Sequence, residues 1–271
     1  GFVKPHLPFN APRRYWDLYD ADRVNLADNP FPPEAAPAEA MHNFGELRSY
    51  FDVPKEGPLS EELSRTLVHG YYAATSYTDA QVGRVMAELD RLGERDNTIV
   101  VFWGDHGWQL GEHGLWCKHC NFDTSLNAPL IVSAPDGARG GATQRLVEFV
   151  DMYPTLCELC GLPQPETLEG ASFAPLLDGS DQPWKPAAFS RYHAGESIRT
   201  DRYLYTEYTD DEGELLARMC YDHQRDPDEN HNIAERPELA PTMAELSGQL
   251  RRGWRDAPVA SAHDQTDQSK E

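Results

Sequence analysis

Thr98-Ile99-Val100-Val101-Phe102-Trp103 runs directly into Gly104-Asp105-His106-Gly107, and this junction decides the fold. The first six residues form a β-branched, apolar run of the kind that makes a strand buried on both faces. Upstream, Ser60 is a good helix N-cap, and Glu61 and Glu62 favour a first turn. Leu63, Leu67, Tyr71, Ala74, Val82, Met86 and Leu89 then recur at helical spacing, with Thr78 the one polar member of the stripe. Gly93 closes that helix and Asp96-Asn97 make a turn. Helix, short loop and buried strand is the rhythm of an α/β protein with a mostly parallel sheet. Pro129-Leu130-Ile131-Val132-Ser133 is a second strand of this type. A helix from Asp151 through Leu159 follows, ended by Gly161, with Pro154 tolerable inside its first turn.

Residues 1–60 are punctuated by prolines and read as an extended segment that wraps a surface. Past residue 186 the texture changes. Ala187 to Tyr192, Ser197 to Thr200, Arg202 to Tyr208 and Leu215 to Tyr221 read as short strands. Asp210-Asp211-Glu212-Gly213 is a hairpin turn, and Ala240 to Trp254 a final helix. The expected organisation is an α/β part over 1–180, a small antiparallel sheet with a helix over 181–257, and a disordered polar tail over 258–271.

The 271 residues carry 24 Lys+Arg against 45 Asp+Glu, a formal net charge of −21. That balance argues against non-specific binding to nucleic acid or anionic membranes, which depends on excess cations. No apolar run approaches the roughly 20 residues of a membrane span. The chain opens on Gly1-Phe2-Val3-Lys4-Pro5 without an initiator Met or signal segment, and is expected to be the C-terminal part of a longer protein. Five cysteines are not a disulfide framework. Cys117/Cys120 and Cys157/Cys160 imitate a zinc site. The second pair lies in a helical pattern, however, and core packing is the better reading for both.

Asp105 and His106 fall at the carboxyl end of the first strand, where open α/β sheets bind ligands. A carboxylate and an imidazole held there can bind a divalent cation. The bland alternative is a capped turn with a surface histidine. Glycines at 104, 107, 111 and 114, together with His113 and Lys118, favour the site.

Three stretches carry a resemblance: Lys4-Pro5-His6-Leu7-Pro8-Phe9; Ser76 to Arg84 in the helix; and Gly104 to Asn121 continuing through Phe122-Asp123 to Pro129-Leu130-Ile131. Together they resemble the second half of a sulfatase active site, specifically the iduronate-2-sulfatase branch of the alkaline-phosphatase-like superfamily. Ser197 to Thr200, Tyr221-Asp222 and Asp226-Pro227 resemble the C-terminal subdomain of that family. The resemblance implies an alkaline-phosphatase-like α/β fold with an incomplete, mostly parallel central sheet flanked by helices, followed by the small antiparallel sheet. It further implies hydrolysis of a sulfate ester on a uronic-acid-containing glycan, in a periplasmic, secreted or lysosomal setting.

By the same resemblance, a formylglycine made from Cys or Ser supplies the nucleophile and Ca²⁺ or another divalent ion polarises the sulfate. Asp105 and His106 are then metal ligands, His6 the general acid and Lys118 the group that neutralises sulfate. Lys4, Trp108, His113 and His119 are substrate-side candidates, although His113 could instead brace the glycine-rich loop. Read without the family pattern, His6 is a packed loop histidine and Lys118 a solvated charge. No Cys-x-Pro-x-Arg or Ser-x-Pro-x-Arg signature occurs in the chain. The nucleophile is therefore expected upstream of Gly1, in the missing N-terminal part of the same protein, and the chain alone is expected to be inactive. The rivals are a phosphodiester or phosphonate monoester hydrolase of the same superfamily, with His113 as an extra metal ligand, and a non-catalytic glycan-binding or zinc-stapled module.

Overall fold

A computed structural model describes residues 1–135, 137, 140–179 and 183–253. Its helices and strands, in chain order, are α1 (Arg13–Trp16), α2 (Gly45–Arg48), α3 (Glu61–Leu92), β1 (Val100–Trp103), β2 (Gln109–Leu110), β3 (Trp116–Cys117), α4 (Asp123–Leu126), β4 (Leu130–Ser133), α5 (Met152–Leu159), β5 (Ala187–Tyr192), β6 (Gly195–Thr200), β7 (Tyr203–Thr209), β8 (Leu215–Asp222) and α6 (Ala240–Arg252). The expected tail and the end of the last helix, at Trp254, lie outside the described residues. No helix among the described residues is long and apolar enough to cross a membrane.

The long helix α3 begins and ends as its sequence dictates. The Ser60 hydroxyl accepts a hydrogen bond from the Leu63 N–H at 3.2 Å, and Gly93 closes the helix in the left-handed conformation. Its fully buried positions, Val68, Gly70, Ala73 and Ala74, all lie in the N-terminal half. The proline-punctuated segment packs there. Leu7, Phe9, Val24, Phe44, Leu47 and Val53 form one core cluster with Val68, Trp116 and Cys117. Residues 1–60 therefore build the core as well as wrapping it. Thr78 interrupts the apolar stripe because its hydroxyl donates to the Lys4 carbonyl at 2.9 Å.

The two strands read as members of a parallel sheet pair with each other antiparallel, Val100 opposite Ser133 and Trp103 opposite Leu130. The intervening residues make a two-residue-per-strand hairpin and the short helix α4 rather than a covering crossover helix. Both strands were expected to be buried, yet Phe102, Trp103 and Ile131 are exposed, as are Phe149, Val150, Tyr153 and Leu156 on or beside α5. The pair has an open apolar face.

The C-terminal sheet is an antiparallel meander in the order β5-β6-β7-β8. Asp210 closes the β7–β8 turn by accepting the Glu212 and Glu214 N–H groups on its carboxylate. Alternation sends Ile198, Tyr205 and Cys220 against Met243, Leu246 and Leu250 of α6. The opposite face sends Tyr208, Met219 and Tyr221 against Leu115, Cys120 and Phe122. Both faces of this sheet are covered, and one cover is the loop that follows Asp105-His106.

Cys117 and Cys120 thus belong to different core clusters. Cys157 is buried on α5, Cys160 is exposed, and all five thiols are free. In the native chain Cys160 should react at once with a thiol reagent, with or without chelator, and the other four only on unfolding. Equal rates for all five would contradict this packing. The α5 end of the molecule is pinned to β5 by Lys185. Its ammonium donates to Glu148 Oε2 at 2.7 Å and to the fully buried Asp151 at 2.6 and 2.8 Å. Lys185→Ala would leave those carboxylates uncompensated, at an expected cost of about 3–5 kcal/mol in urea unfolding.

Candidate active site

The loop after β1 folds sharply because Gly107 lies against α4. A Cβ there would overlap the Thr124 carbonyl oxygen, and the Gly107 N–H donates to Ser125 O at 2.9 Å. This turn delivers Trp108 to the centre of the site. The His6 ring meets the Trp108 ring edge-on at 5.2 Å, the His106 ring stacks on it at 5.8 Å, and the Lys118 ammonium sits 4.9 Å from its centroid. Phe9 and Tyr71 back the indole at 5.9 and 6.1 Å. The indole N–H is buried without a partner among the described residues.

Lys118 is aimed by its neighbour. Cys117 holds a left-handed φ of 75° although it is not glycine, and it is buried. Burial pushes the Cys117 thiol up to about 12, and the Glu46 charge adds to this. The Lys118 ammonium donates to both carboxylate oxygens of Glu46 at 2.7 Å and reaches His6 Nε2 at 2.8 Å. His6 Nδ1 donates to the Leu7 carbonyl at 3.0 Å, so Nε2 of the neutral ring is free to accept from Lys118. Glu46 Oε1 lies 3.0 Å from that same Nε2, the position it would hold toward a protonated ring.

Glu46 carries no signal in the sequence, yet it stands at the middle of the cluster. Burial pushes its carboxyl upward. The hydrogen bond and charge of Lys118, with His6 and His119, outweigh this and hold the carboxyl below the usual carboxylate range. Its short helix α2 is fixed by Arg48, which donates to the carbonyls of Asn43, Pro54 and Gly57 and lies over the Phe44 ring.

His119 is at the rim, its Nδ1 3.7 Å from Glu46 Oε2 and its ring against His42 and Tyr192. Lys4 is turned aside, its ammonium donating to the His6 and Pro8 carbonyls. His113 also stands apart from the cluster. Its left-handed backbone, φ 57°, turns the ring into the core, where it stacks on Phe122 at 4.2 Å and bonds the Asp228 carbonyl at 3.0 Å. This position braces the loop instead of joining the cluster around Trp108.

Asp105 and His106 face each other, Oδ2 to Nε2 at 3.6 Å, with the carboxylate exposed. His106 Nδ1 donates to Gly107 O at 2.7 Å, which leaves Nε2 with a free lone pair. The pair suits part of a divalent-cation shell and does not complete one. Among the described residues no group of three His, Cys, Asp or Glu could hold an ion, and Ca²⁺ takes about six to eight oxygens.

The family profile named Sulfatase matches residues 1–162, and that of the C-terminal part of N-sulphoglucosamine sulphohydrolase matches residues 111–256. The chain belongs to the sulfatase family. Iduronate 2-sulfatase of Mus musculus is 31% identical over 86% of this chain and 56% of the relative; that of Homo sapiens is 30% identical over 86% and 57%. The chain thus spans somewhat more than half the length of these sulfatases. Among solved structures, the phosphonate monoester hydrolase SpPMH of Silicibacter pomeroyi superposes with a TM-score of 0.80 at 25% identity, covering 96% of this chain and 56% of that one. These neighbours confirm the mixed α/β sulfatase fold with its small antiparallel sheet.

A titratable group, His42, packs beside the cluster around Trp108, against His119. His42 Nδ1 accepts the Phe44 N–H at 2.9 Å, and its buried Nε2–H has no partner among the described residues. Burial, then the charge of His119, lowers its pKa to about 4. The unfolded ring takes a proton near pH 6.5 and the folded one only near 4, so stability falls as pH drops through that window. His42→Asn keeps an acceptor for Phe44 and removes the titration. Its unfolding free energy should fall less steeply than that of the parent between pH 7 and 4.5.

Proposed function

We propose that this sulfatase-family protein hydrolyses a sulfate ester on a uronic-acid-containing glycan, with the chain contributing the acid, the sulfate-binding cation and two metal ligands. The observation that carries the reading is the convergence of His6 and Lys118, 112 residues apart in sequence, at 2.8 Å beside Trp108, with His106 stacked on the same indole. His6 Nε2 is the atom that delivers a proton to the departing sugar oxygen. Its Nδ1–H is fixed on Leu7 O, so the acid is the imidazolium, whose second proton sits on Nε2 facing Glu46 Oε1 until it is passed to the leaving group. Lys118 neutralises the sulfate, and the cation–π contact with Trp108 keeps its ammonium beside the indole. Asp105 and His106 Nε2 would hold a divalent cation, Ca²⁺ in this reading, which when bound polarises the sulfate oxygens. His119 and Tyr192 form the rim against which the sugar rests.

The nucleophile, a formylglycine, belongs in this reading to polypeptide outside the 271 residues. Two observations support that: the chain lacks a Cys- or Ser-x-Pro-x-Arg segment, and β1 and β4 leave Phe102, Trp103 and Ile131 open to be covered. Division near residue 180 into a catalytic part and a small C-terminal subdomain, and a periplasmic, secreted or lysosomal setting, belong to the same proposal.

The likeness to SpPMH favours a second reading, hydrolysis of phosphonate monoesters or phosphate diesters. Activity decides between them. The 271-residue chain alone should turn over neither class. A longer polypeptide bearing the signature segment should cleave sulfated disaccharides in preference to phosphonate monoesters. In it, Lys118→Ala should lower kcat about 10²–10³-fold. His6→Ala should cost about 10²-fold or more on a sugar sulfate but far less on 4-nitrophenyl sulfate, whose leaving group needs no proton. Turnover of sulfate esters by the chain alone, or equal losses on both substrates, would overturn these assignments.

A further inference from the structure

Lys118 has three N–H donors, and Glu46 Oε1, Glu46 Oε2 and His6 Nε2 match them one for one at 2.7, 2.7 and 2.8 Å. The Trp108 ring covers a further side of the ammonium. A sulfate approaching the cation therefore finds no free donor while Glu46 stays where it is. The carboxylate also stands at the distance from Lys118, and beside His6 Nε2 at 3.0 Å, that a sulfate oxygen would take.

We infer that Glu46 is an internal latch on the anion position: its carboxylate holds Lys118 and His6 in the free protein and is displaced by the incoming sulfate group. The inference rests on the sulfatase reading of this cluster. Displacement is confined to the side chain. Leu47 and Arg48, the next two residues of α2, are buried, and Arg48 is tied to three carbonyls. The carboxylate has somewhere to go, since His119 Nδ1 is 3.7 Å from Oε2 and the unpartnered Nε2–H of His42 belongs to the ring packed against His119. The exchange conserves charge, because a sulfate monoester brings one negative charge to the place of another. A neutral sugar has nothing with which to displace Glu46, so the latch makes the site selective for anionic groups. Glu46 is in this sense a specificity-determining and positioning residue.

The test is titration of the 271-residue chain with inorganic sulfate at constant ionic strength, followed calorimetrically and by tryptophan fluorescence. Glu46→Gln should bind sulfate about tenfold more tightly than the parent, because an ion pair is replaced by a weaker contact of the ammonium with a neutral amide. Glu46→Asp, which keeps the charge but withdraws it by one methylene, should show a smaller gain. Lys118→Met should abolish binding in every background. A merely structural role for Glu46 would weaken binding in both Glu46 variants, so gain of affinity is the discriminating readout. Binding that depends on Lys118 but is no tighter in either Glu46 variant overturns the latch and leaves the sulfate site standing. Absence of Lys118-dependent sulfate binding in all variants overturns the site itself.

Discussion

A single ammonium, that of Lys118, organises the centre of the molecule. It draws together His6 from the N-terminal segment, Glu46 from α2 and Trp108 from the glycine-rich turn, three places that the chain visits far apart. A half-buried cation in an acidic protein is stabilised only if its donors are met, and here all three are. The cost of aiming it appears in the backbone, where Cys117 and Phe44 both hold left-handed conformations on the two sides of the pair. Strain of that sort persists only when the surroundings dictate it. The buried thiol of Cys117 and the cation–π contact of Arg48 with Phe44 supply that constraint.

The loop that carries Lys118 is held from the other side by the C-terminal sheet. Asn121 donates to Gly195 O and to the Ser197 hydroxyl at 3.2 Å, and the Asp123 N–H donates to the fully buried Glu229 at 2.9 Å. Burial raises the Glu229 carboxyl, opposed by its hydrogen bond with His223, whose Nδ1 meets Arg199 at 3.0 Å. Arg199 returns to Asp123 at 3.4 Å and closes the network. The small sheet is thus the wall on which the site loop is hung. This explains why both of its faces are covered while β1 and β4 are open.

The sequence made the site legible wherever residues sat in a local pattern. Asp105, His106, Trp108 and Lys118 follow one strand within a glycine-rich run, and His6 lies in a proline-bracketed hexapeptide. The meander was equally plain, because alternation and the Asp210 turn are local signals. Glu46 was invisible for a physical reason. It is one of 45 acidic residues, on a four-residue helix, and its meaning comes from Lys118 72 positions away. Strand direction was hidden in the same way. An apolar β-branched run identifies a strand, but whether β4 runs with or against β1 depends on the path between them, which turns back through α4. His113 looked like its neighbours in the motif, yet a positive φ sends its ring inward, and no residue beside it announces that angle.

Net charge and local potential point in opposite directions here, and geometry reconciles them. With a formal charge of −21 the chain repels anions at long range. Beyond about 8 Å that field is screened at physiological ionic strength, so what an arriving anion meets is the cluster itself. There Lys118 and Glu46 cancel, and His6 presents a lone pair or a proton according to which of them it faces. In the free cluster the Lys118 and Glu46 charges offset each other, and all three Lys118 donors are met. The cluster becomes an anion site only when one carboxylate moves, so its affinity is governed by a side-chain exchange inside the cluster more than by the charge of the surface around it.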